Sequence, residues 1–238
     1  MIERISQAII QQRLFVIIAA LLIVVAAAAG LPNVKFSTDY RIFFSADNPH
    51  LQAFEDLQAT FTKSDNVMFV IAPNDRNVFT SQTLAMVEEL TEASWQLPYS
   101  IRADSITNYQ HTIAEGDDLL VDNLVHDPSS LTESNLQEIK NVALQEPALA
   151  GRIIADTADV TGINVLIEIP GADPSKEVPE VASAARAMQA EFRDKYPNID
   201  IRLTGQIIVD TAFKEAAVYD LTHIVPFAFV IAFACIAF

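Results

Sequence analysis

An uninterrupted apolar run near the N-terminus constrains this chain more than any other feature. Residues 14–31 carry no charged or strongly polar side chain. As a helix they would extend about 27 Å, close to the ~30 Å hydrocarbon core of a bilayer. Arg4 and Arg13 precede the run, and the positive-inside tendency favours a cytoplasmic segment at residues 1–13. The run therefore predicts a transmembrane helix at residues 14–31.

A cleaved signal peptide is the alternative interpretation of the same run. Ala27, Ala29 and Gly30 could supply the small residues of a cleavage site. The run is longer than the usual apolar region of a signal peptide, about 7–15 residues. Its length therefore favours an uncleaved helix.

A second apolar run occupies residues 224–238 and is still apolar at the last residue. It is shorter than the ~20 residues that a spanning helix needs. A short buried core helix is one interpretation. We expect instead the start of a second transmembrane helix at residues 223–238, in a chain that is a fragment of a longer protein.

The acidic residues of the chain lie almost entirely between the two apolar runs. The net charge is −16 although 51% of the residues are hydrophobic. Nucleic acid is excluded as an expected partner because a phosphate backbone requires a basic face. The only cysteine, Cys235, lies in the second run, so the central region cannot form disulfides. We expect residues 32–222 to form a periplasmic domain of an inner-membrane protein.

The central region contains the predicted order strand, helix, strand twice. Short apolar or alternating segments predict strands at residues 66–72, 100–106, 163–169 and 199–203. Thr80 is a predicted N-cap, with Phe79 and Leu84 as a hydrophobic staple. The second helix should bury one apolar face, formed by Val178, Val181, Ala185, Met188 and Phe192. This order predicts an α+β fold of two βαβ units, a ferredoxin-like split βαβ sandwich, although strand-helix-strand is common enough to recur by coincidence.

Residues 107–161 are less regular and are predicted to be an insertion or crossover. Ser130 and Glu133 fit a capping box at the start of a short amphipathic helix, which Pro147 should end. Farther along, Gly205 signals a turn, and a helical pattern from Gln206 runs directly into the second apolar run.

No residue pattern points to a catalytic, cofactor or metal site, so an enzyme is not expected. The four histidines share no ligand spacing: His50, His111, His126 and His223. Glu115, Asp117 and Asp118 lack the alternation of a calcium loop and indicate a solvated acidic loop.

Three polar residues follow the first apolar run: Asp39, Tyr40 and Arg41. They could line a hinge or a substrate vestibule at the membrane surface. Interfacial anchoring is the favoured interpretation, with Tyr40 in the aromatic belt and Phe43 and Phe44 packed under the domain.

Two blocks of residues carry a family resemblance. The first is residues 36–44 (FSTDYRIFF), followed by Asn48, Pro49, Leu51, Phe54 and Leu57. The second is Leu203, Thr204, Gly205 and Gln206, followed by Phe213 and Asp220. In this order, with a helix before and after the domain, the chain resembles the MMPL-like branch of the resistance-nodulation-division (RND) exporters.

The resemblance implies a transporter of two such halves, similar to Patched-like sterol-sensing proteins. It implies proton-driven export of amphiphilic or lipid-like substrates, with relay carboxylates on a later span. The bilayer, the remaining spans and a second periplasmic domain would then be the partners. The alternative function is an extracytoplasmic ligand-sensing domain of a two-span receptor or sensor kinase. The substrate-binding residues and the oligomeric state stay unassigned.

Overall fold

In a computed structural model, the chain is described at residues 11–29, 44–45, 47–61, 65–115 and 118–237. It divides into two compact units, residues 1–45 and residues 46–238. The first unit contains helix α1, Arg13–Ala28. Large apolar side chains of α1, such as Leu14 and Phe15, are exposed by about 70%. The helix coincides with most of the predicted span, whose last two residues lie outside the described part.

The second unit begins with a capped helix. Helix α2 spans Pro49–Phe61. The side-chain oxygen of Asn48 accepts hydrogen bonds from the backbone N–H groups of His50 (2.9 Å) and Leu51 (3.3 Å). Proline at the first helical position loses no hydrogen bond, since that N–H has no partner within the helix. The Asn48–Pro49 pair of the first resemblance block therefore starts a helix.

The described residues of this unit also form six strands and five further α-helices. The strands are β1 Asp65–Pro73, β2 Ser100–Asp104, β3 Gln110–Glu115, β4 Asp118–Asn123, β5 Thr161–Ile167 and β6 Ile199–Thr204. The helices are α3 Ser81–Ser94, α4 Glu133–Gln145, α5 Pro174–Lys195, α6 Gln206–Tyr219 and α7 Val225–Ala237.

Four of the strands form one antiparallel sheet in the order β2-β5-β1-β6. The first and second strand-helix-strand units therefore interleave, because β5 lies between β1 and β2. Central strand β1 pairs with β5 from Asp65 opposite Ile167 to Ile71 opposite Thr161. The predicted mixed α+β class and the four predicted strands of this sheet are confirmed, with ends shifted by up to two residues.

Alternation along the strands places the core on one face of the sheet. Val67, Phe69 and Ile71 of β1 are fully buried, as are Ile163 and Val165 of β5. Helices α3 and α5 contribute buried residues to the same cluster. Each βαβ connection thus packs on this face, and the opposite face of the sheet is only half-buried.

The helix boundaries mostly follow their predicted signals. Thr80 is the N-cap of α3, and its hydroxyl accepts a hydrogen bond from the N–H of Thr83 at 3.1 Å. The five residues predicted for one face of α5 all belong to the core or pack against it.

The predicted capping box at Ser130 and Glu133 is wrong by two residues. Thr132 caps α4 instead, with Asn135 as its reciprocal partner. Ser130 is occupied in a 3₁₀ turn, Pro128–Ser130, where its hydroxyl donates to the carbonyl of Asp127 at 2.9 Å.

A β-hairpin lies within the stretch predicted to be irregular. Strands β3 and β4 pair antiparallel from Gln110 opposite Asn123 to Glu115 opposite Asp118. Every side chain of β4 is exposed, including Leu119, Leu120 and Val121. Strand β4 therefore shows no alternation between buried and polar positions, which is the pattern that predicts a strand.

The helix that follows the sheet continues without a break into the second apolar run. A π-helical segment, Asp220–Ile224, joins α6 to α7. The ring of Pro226 cannot fit against the carbonyl four residues earlier, and a wider turn relieves that clash. Side chains from Leu221 to Cys235 are exposed, so this run is not a buried core helix within the second unit. Among the described residues, one helix, Gln206–Cys235, is long and apolar enough to cross a membrane, judged by length and composition alone.

Candidate functional site

The uncovered face of the sheet forms the floor of a groove. Met68 of β1 and Asn164 of β5 point to this face and are half-buried. A methyl group on Gly162 would lie 2.3 Å from the terminal carbon of Met68. Glycine at this position therefore lets the flexible thioether lie flat across β5. Methionine adapts readily to differently shaped partners, which suits a binding surface.

Two walls rise from this floor. One wall comes from β2 and the residue after α3, and includes Arg102, Ile101 and Trp95. The other comes from the segment after α4, and includes Leu149 and Arg152. The groove has a volume of about 840 Å³. Ligand sites typically measure about 300–1,000 Å³, so it can hold a small molecule.

Apolar and cationic groups share this groove. Trp95 and Ile101 are each 47% exposed in an otherwise acidic chain. The guanidinium of Arg102 contacts Asp104 at 2.7 Å. Arg152 is exposed and makes no ion pair with any residue in the described part of the chain. Two arginines and one aspartate thus give the lining a positive balance within a chain of net charge −16.

A rigid turn holds one end of the groove. The carboxamide oxygen of Asn108 accepts from the backbone N–H of Ser105 at 2.8 Å, and its NH₂ donates to the carbonyl of Ala103 at 2.6 Å. The hydroxyls of Ser105 and Thr107 lie 2.8 Å apart and are buried. Buried polar groups that satisfy one another fix the backbone in one conformation. The turn is therefore structural, and it orients the neighbouring lining residue Tyr109.

Tyr109 is held in its neutral form. Burial raises the pKa of its phenol, and the hydrogen bond to the carboxylate of Glu146 raises the pKa further. The neutral phenol adds no charge to the lining at neutral pH, where Arg102 is paired with Asp104 and Arg152 has no ion pair among the described residues.

The floor of the groove is connected to the start of α6 by two asparagines. The NH₂ of Asn66 donates to the carboxamide oxygen of Asn164 at 2.7 Å. The oxygen of Asn66 in turn accepts from the backbone N–H of Gln206 at 3.0 Å. Gly205 permits this approach, because a methyl group there would lie 2.6 Å from the carbonyl oxygen of Asn66. The Gly205–Gln206 part of the second resemblance block is therefore a helix start docked on the central strand.

A bidentate ion pair holds α6 against α5. The two guanidinium nitrogens of Arg186 contact the two carboxylate oxygens of Glu215 at 2.6 and 2.9 Å. The hydrogen bonds and charge of Arg186 lower the pKa of Glu215. Planar two-point pairing restricts orientation as well as distance. The helix that leaves the domain is thus fixed at its first turn by Asn66 and near its last turn by Arg186.

The predicted histidines are distributed over different elements. His50 lies on α2, and His223 lies in the π-helical segment stacked on Tyr219 at 4.5 Å. The hairpin places His111 opposite Asp122, and the same aspartate contacts His126 at 3.0 Å. Across the described ranges no group of three metal-ligating side chains comes together.

Several predicted residues fall outside the described part of the chain. These are Asp39, Tyr40 and Arg41, predicted as an interfacial anchor or alternatively a vestibule, Phe43 of the predicted anchor, and Asp117 of the acidic loop. The adjoining Asp118 is exposed where β4 starts at the hairpin turn. Cys235 is exposed on α7.

Sequence reasoning missed the groove itself. Its lining comes from four strands (β1, β2, β3 and β5), the turn after β2, the residue after α3 and the segment after α4, which no single spacing connects. The chain's only tryptophan, Trp95, was the one signal available from the sequence.

No family model and no curated protein sequence matches this chain.

Proposed function

We propose that this chain is the N-terminal part of an RND/MMPL-type exporter that moves amphiphilic or lipid-like molecules. Its domain would be periplasmic and porter-like, anchored in the inner membrane by α1 and by the helix that contains α7. The proposal starts from the family resemblance of the two residue blocks, and the geometry of the second unit supports it.

The observation that best supports this proposal is the direct connection between the sheet and the apolar helix. The order β2-β5-β1-β6 of the four antiparallel strands supports a split βαβ, the ferredoxin-like arrangement of two interleaved βαβ units. The last strand leads through Gly205 into a helix that is continuous for 30 residues, Gln206–Cys235. A domain built this way can pass a displacement of its sheet directly to a membrane helix. That mechanical link suits a porter domain in alternating access.

The exposed apolar surface supports the membrane part of the proposal. Phe227, Phe229, Val230 and Phe233 of α7 are each exposed by 60% or more. Each such side chain that stays in water lacks the stabilisation of about 1.5–3 kcal/mol that burial would give it. A bilayer would recover most of this free energy.

Efflux from intact cells tests the proposal. Deleting the gene that encodes the chain should slow the release of a fluorescent lipid-like dye from energised cells. A protonophore should slow release in the parent strain to the same level. Unchanged efflux in the deletion strain, with an altered transcriptional response to amphiphiles, would favour the ligand-sensing alternative.

Residues 1–238 alone should not drive transport. Residues 14–31 and 224–238 contain no Asp, Glu, Lys, Arg or His, so neither run supplies a carboxylate, amine, guanidinium or imidazole for proton coupling. Liposomes that contain this chain should show no movement of a lipid-like fluorophore driven by a pH gradient. Sustained, gradient-dependent movement would contradict the view that the coupling groups lie elsewhere.

A further inference from the structure

We infer that the groove is a binding site for single-chain amphiphiles with an anionic head group, and that Arg152 contacts the head group. This inference deepens the proposed function by naming the class of molecule and the residues that meet it. Equilibrium binding to the chain requires no export, so the two ideas can fail separately.

The head-group assignment follows from charge. Arg152 is an exposed lining residue with no ion pair within the described ranges, whereas Arg102 of the same lining is neutralised by Asp104 at 2.7 Å. Guanidinium offers planar, two-point hydrogen bonding that fits carboxylate or phosphate oxygens. In a chain with 31 acidic and 15 basic residues, most surfaces repel an anion, so a net positive groove is selective for one.

The chain assignment follows from the apolar lining. Met68 covers the floor, and Trp95, Ile101 and Leu149 stand in the two walls. Ligand sites combine a mainly apolar lining with a few placed polar groups. Apolar and polar groups contribute about equally to this lining, and Arg152 is its cation without an ion pair among the described residues. A lining of both kinds fits a molecule with one charged end and one hydrocarbon tail better than it fits a free anion.

The connection to α6 gives the site a direct effect on the membrane helix. Asn164 forms part of the groove floor and bonds Asn66, which caps α6 through Gln206. A ligand tail lying on Met68 and Asn164 would therefore contact the hydrogen-bond partner of Asn66, the residue that caps α6.

Quenching of Trp95 measures this binding directly, because it is the chain's only tryptophan and it lines the groove. The probe is 11-bromoundecanoic acid, added to the full chain in nanodiscs of zwitterionic lipid. We expect saturable quenching. The bromo-undecyl trimethylammonium analogue, with the same tail and opposite charge, should bind at least tenfold more weakly. Inorganic phosphate should not displace the acid.

Matched substitutions separate the head-group contact from a general charge effect. Arg152→Glu should weaken binding of the acid at least tenfold, and Arg152→Lys should retain most of it. Arg193→Glu makes the same change in net charge near β6, at the opposite edge of the sheet, and should alter binding less than twofold. Unchanged urea midpoints in all three variants establish that the domain remains folded.

Equal affinity for the acid and the cation, or equal binding by Arg152→Glu and the unsubstituted chain, would overturn the inference. Tight binding together with unchanged cellular efflux would retain the site and reject the exporter. Slowed efflux without saturable quenching would retain the exporter and reject this groove.

Discussion

The substitution Gly205→Ala tests how the domain is joined to its outgoing helix. Gly205 has φ 104° and ψ 166°, a region that is essentially restricted to glycine. The added methyl would lie 2.6 Å from the backbone oxygen of Asn66 and 3.1 Å from its side-chain oxygen. Asn66 pairs with Leu166 of β5, and from Met68 onward the same strand also pairs with β6, so the backbone of Asn66 has little room to move away.

The expected loss of stability can be estimated from these two effects. Holding a non-glycine residue in this region costs about 1–3 kcal/mol. Displacing Asn66 also removes the cap on Gln206, which contributes about 1 kcal/mol at a helix N-terminus. We therefore expect Gly205→Ala to lower the free energy of unfolding by about 2–4 kcal/mol.

Gly171→Ala is the matched control. Gly171 also has a positive φ, 78°, but a methyl group there would meet no atom within 4 Å. Only the backbone penalty applies, about 1–2 kcal/mol. Urea unfolding of the full chain in nanodiscs, followed by Trp95 fluorescence, compares the two variants. Equal losses of stability would refute the idea that the contact with Asn66 matters.

Three further predictions concern the core, the surface and the topology. Ile167→Asp places an unpaired carboxylate at a fully buried position and should destabilise the domain by about 3–5 kcal/mol. Ile101→Asp, at a half-exposed position, should lower the free energy of unfolding by less than about 1 kcal/mol. Equal urea midpoints for the two variants would contradict the burial of Ile167. Hydrogen bonds from Lys195 and Tyr196 lower the pKa of Glu89, so its contribution is present above the ordinary carboxyl pKa and is lost as the pH falls through the lowered value. Glu89→Gln should therefore reduce stability at neutral pH by less than about 1 kcal/mol, given the exposure of the pair, and the difference should vanish in acid. Alkaline phosphatase fused after Gly151 should be active in cells; an inactive fusion, with an active cytoplasmic reporter at the same position, would reverse the proposed topology.

Local signals predicted most of the sheet and its helices. Alternation in β5 and the Thr80 cap each follow from contacts within a few residues, and such contacts can be read from spacing. The cap of α4 was misplaced because two hydroxyl residues, Ser130 and Thr132, precede the helix, and the turn at Asp127 decides between them.

The candidate groove is formed by contacts between residues far apart in the chain, and the spacing of residues along the sequence does not indicate such contacts. Asn66 and Asn164 are 98 residues apart, yet they form one hydrogen bond because β1 and β5 are neighbours. No sequence pattern distinguishes Arg152, because an arginine becomes distinctive only when its surroundings and its lack of an ion pair in the described structure are known. Strand order is thus the information that the sequence pattern lacked.

The interleaved strand order also affects how the domain folds during synthesis. Strands β1 and β2 cannot pair with each other, because β5 occupies the position between them. A ribosome must therefore translate residues 105–160 before the strand that joins the first two becomes available. At a synthesis rate of about 5–20 residues per second, the apolar edges of β1 and β2 have no strand to pair with for several seconds. A chaperone that holds unfolded chains, or slow translation of this stretch, would have its largest effect on yield in that interval.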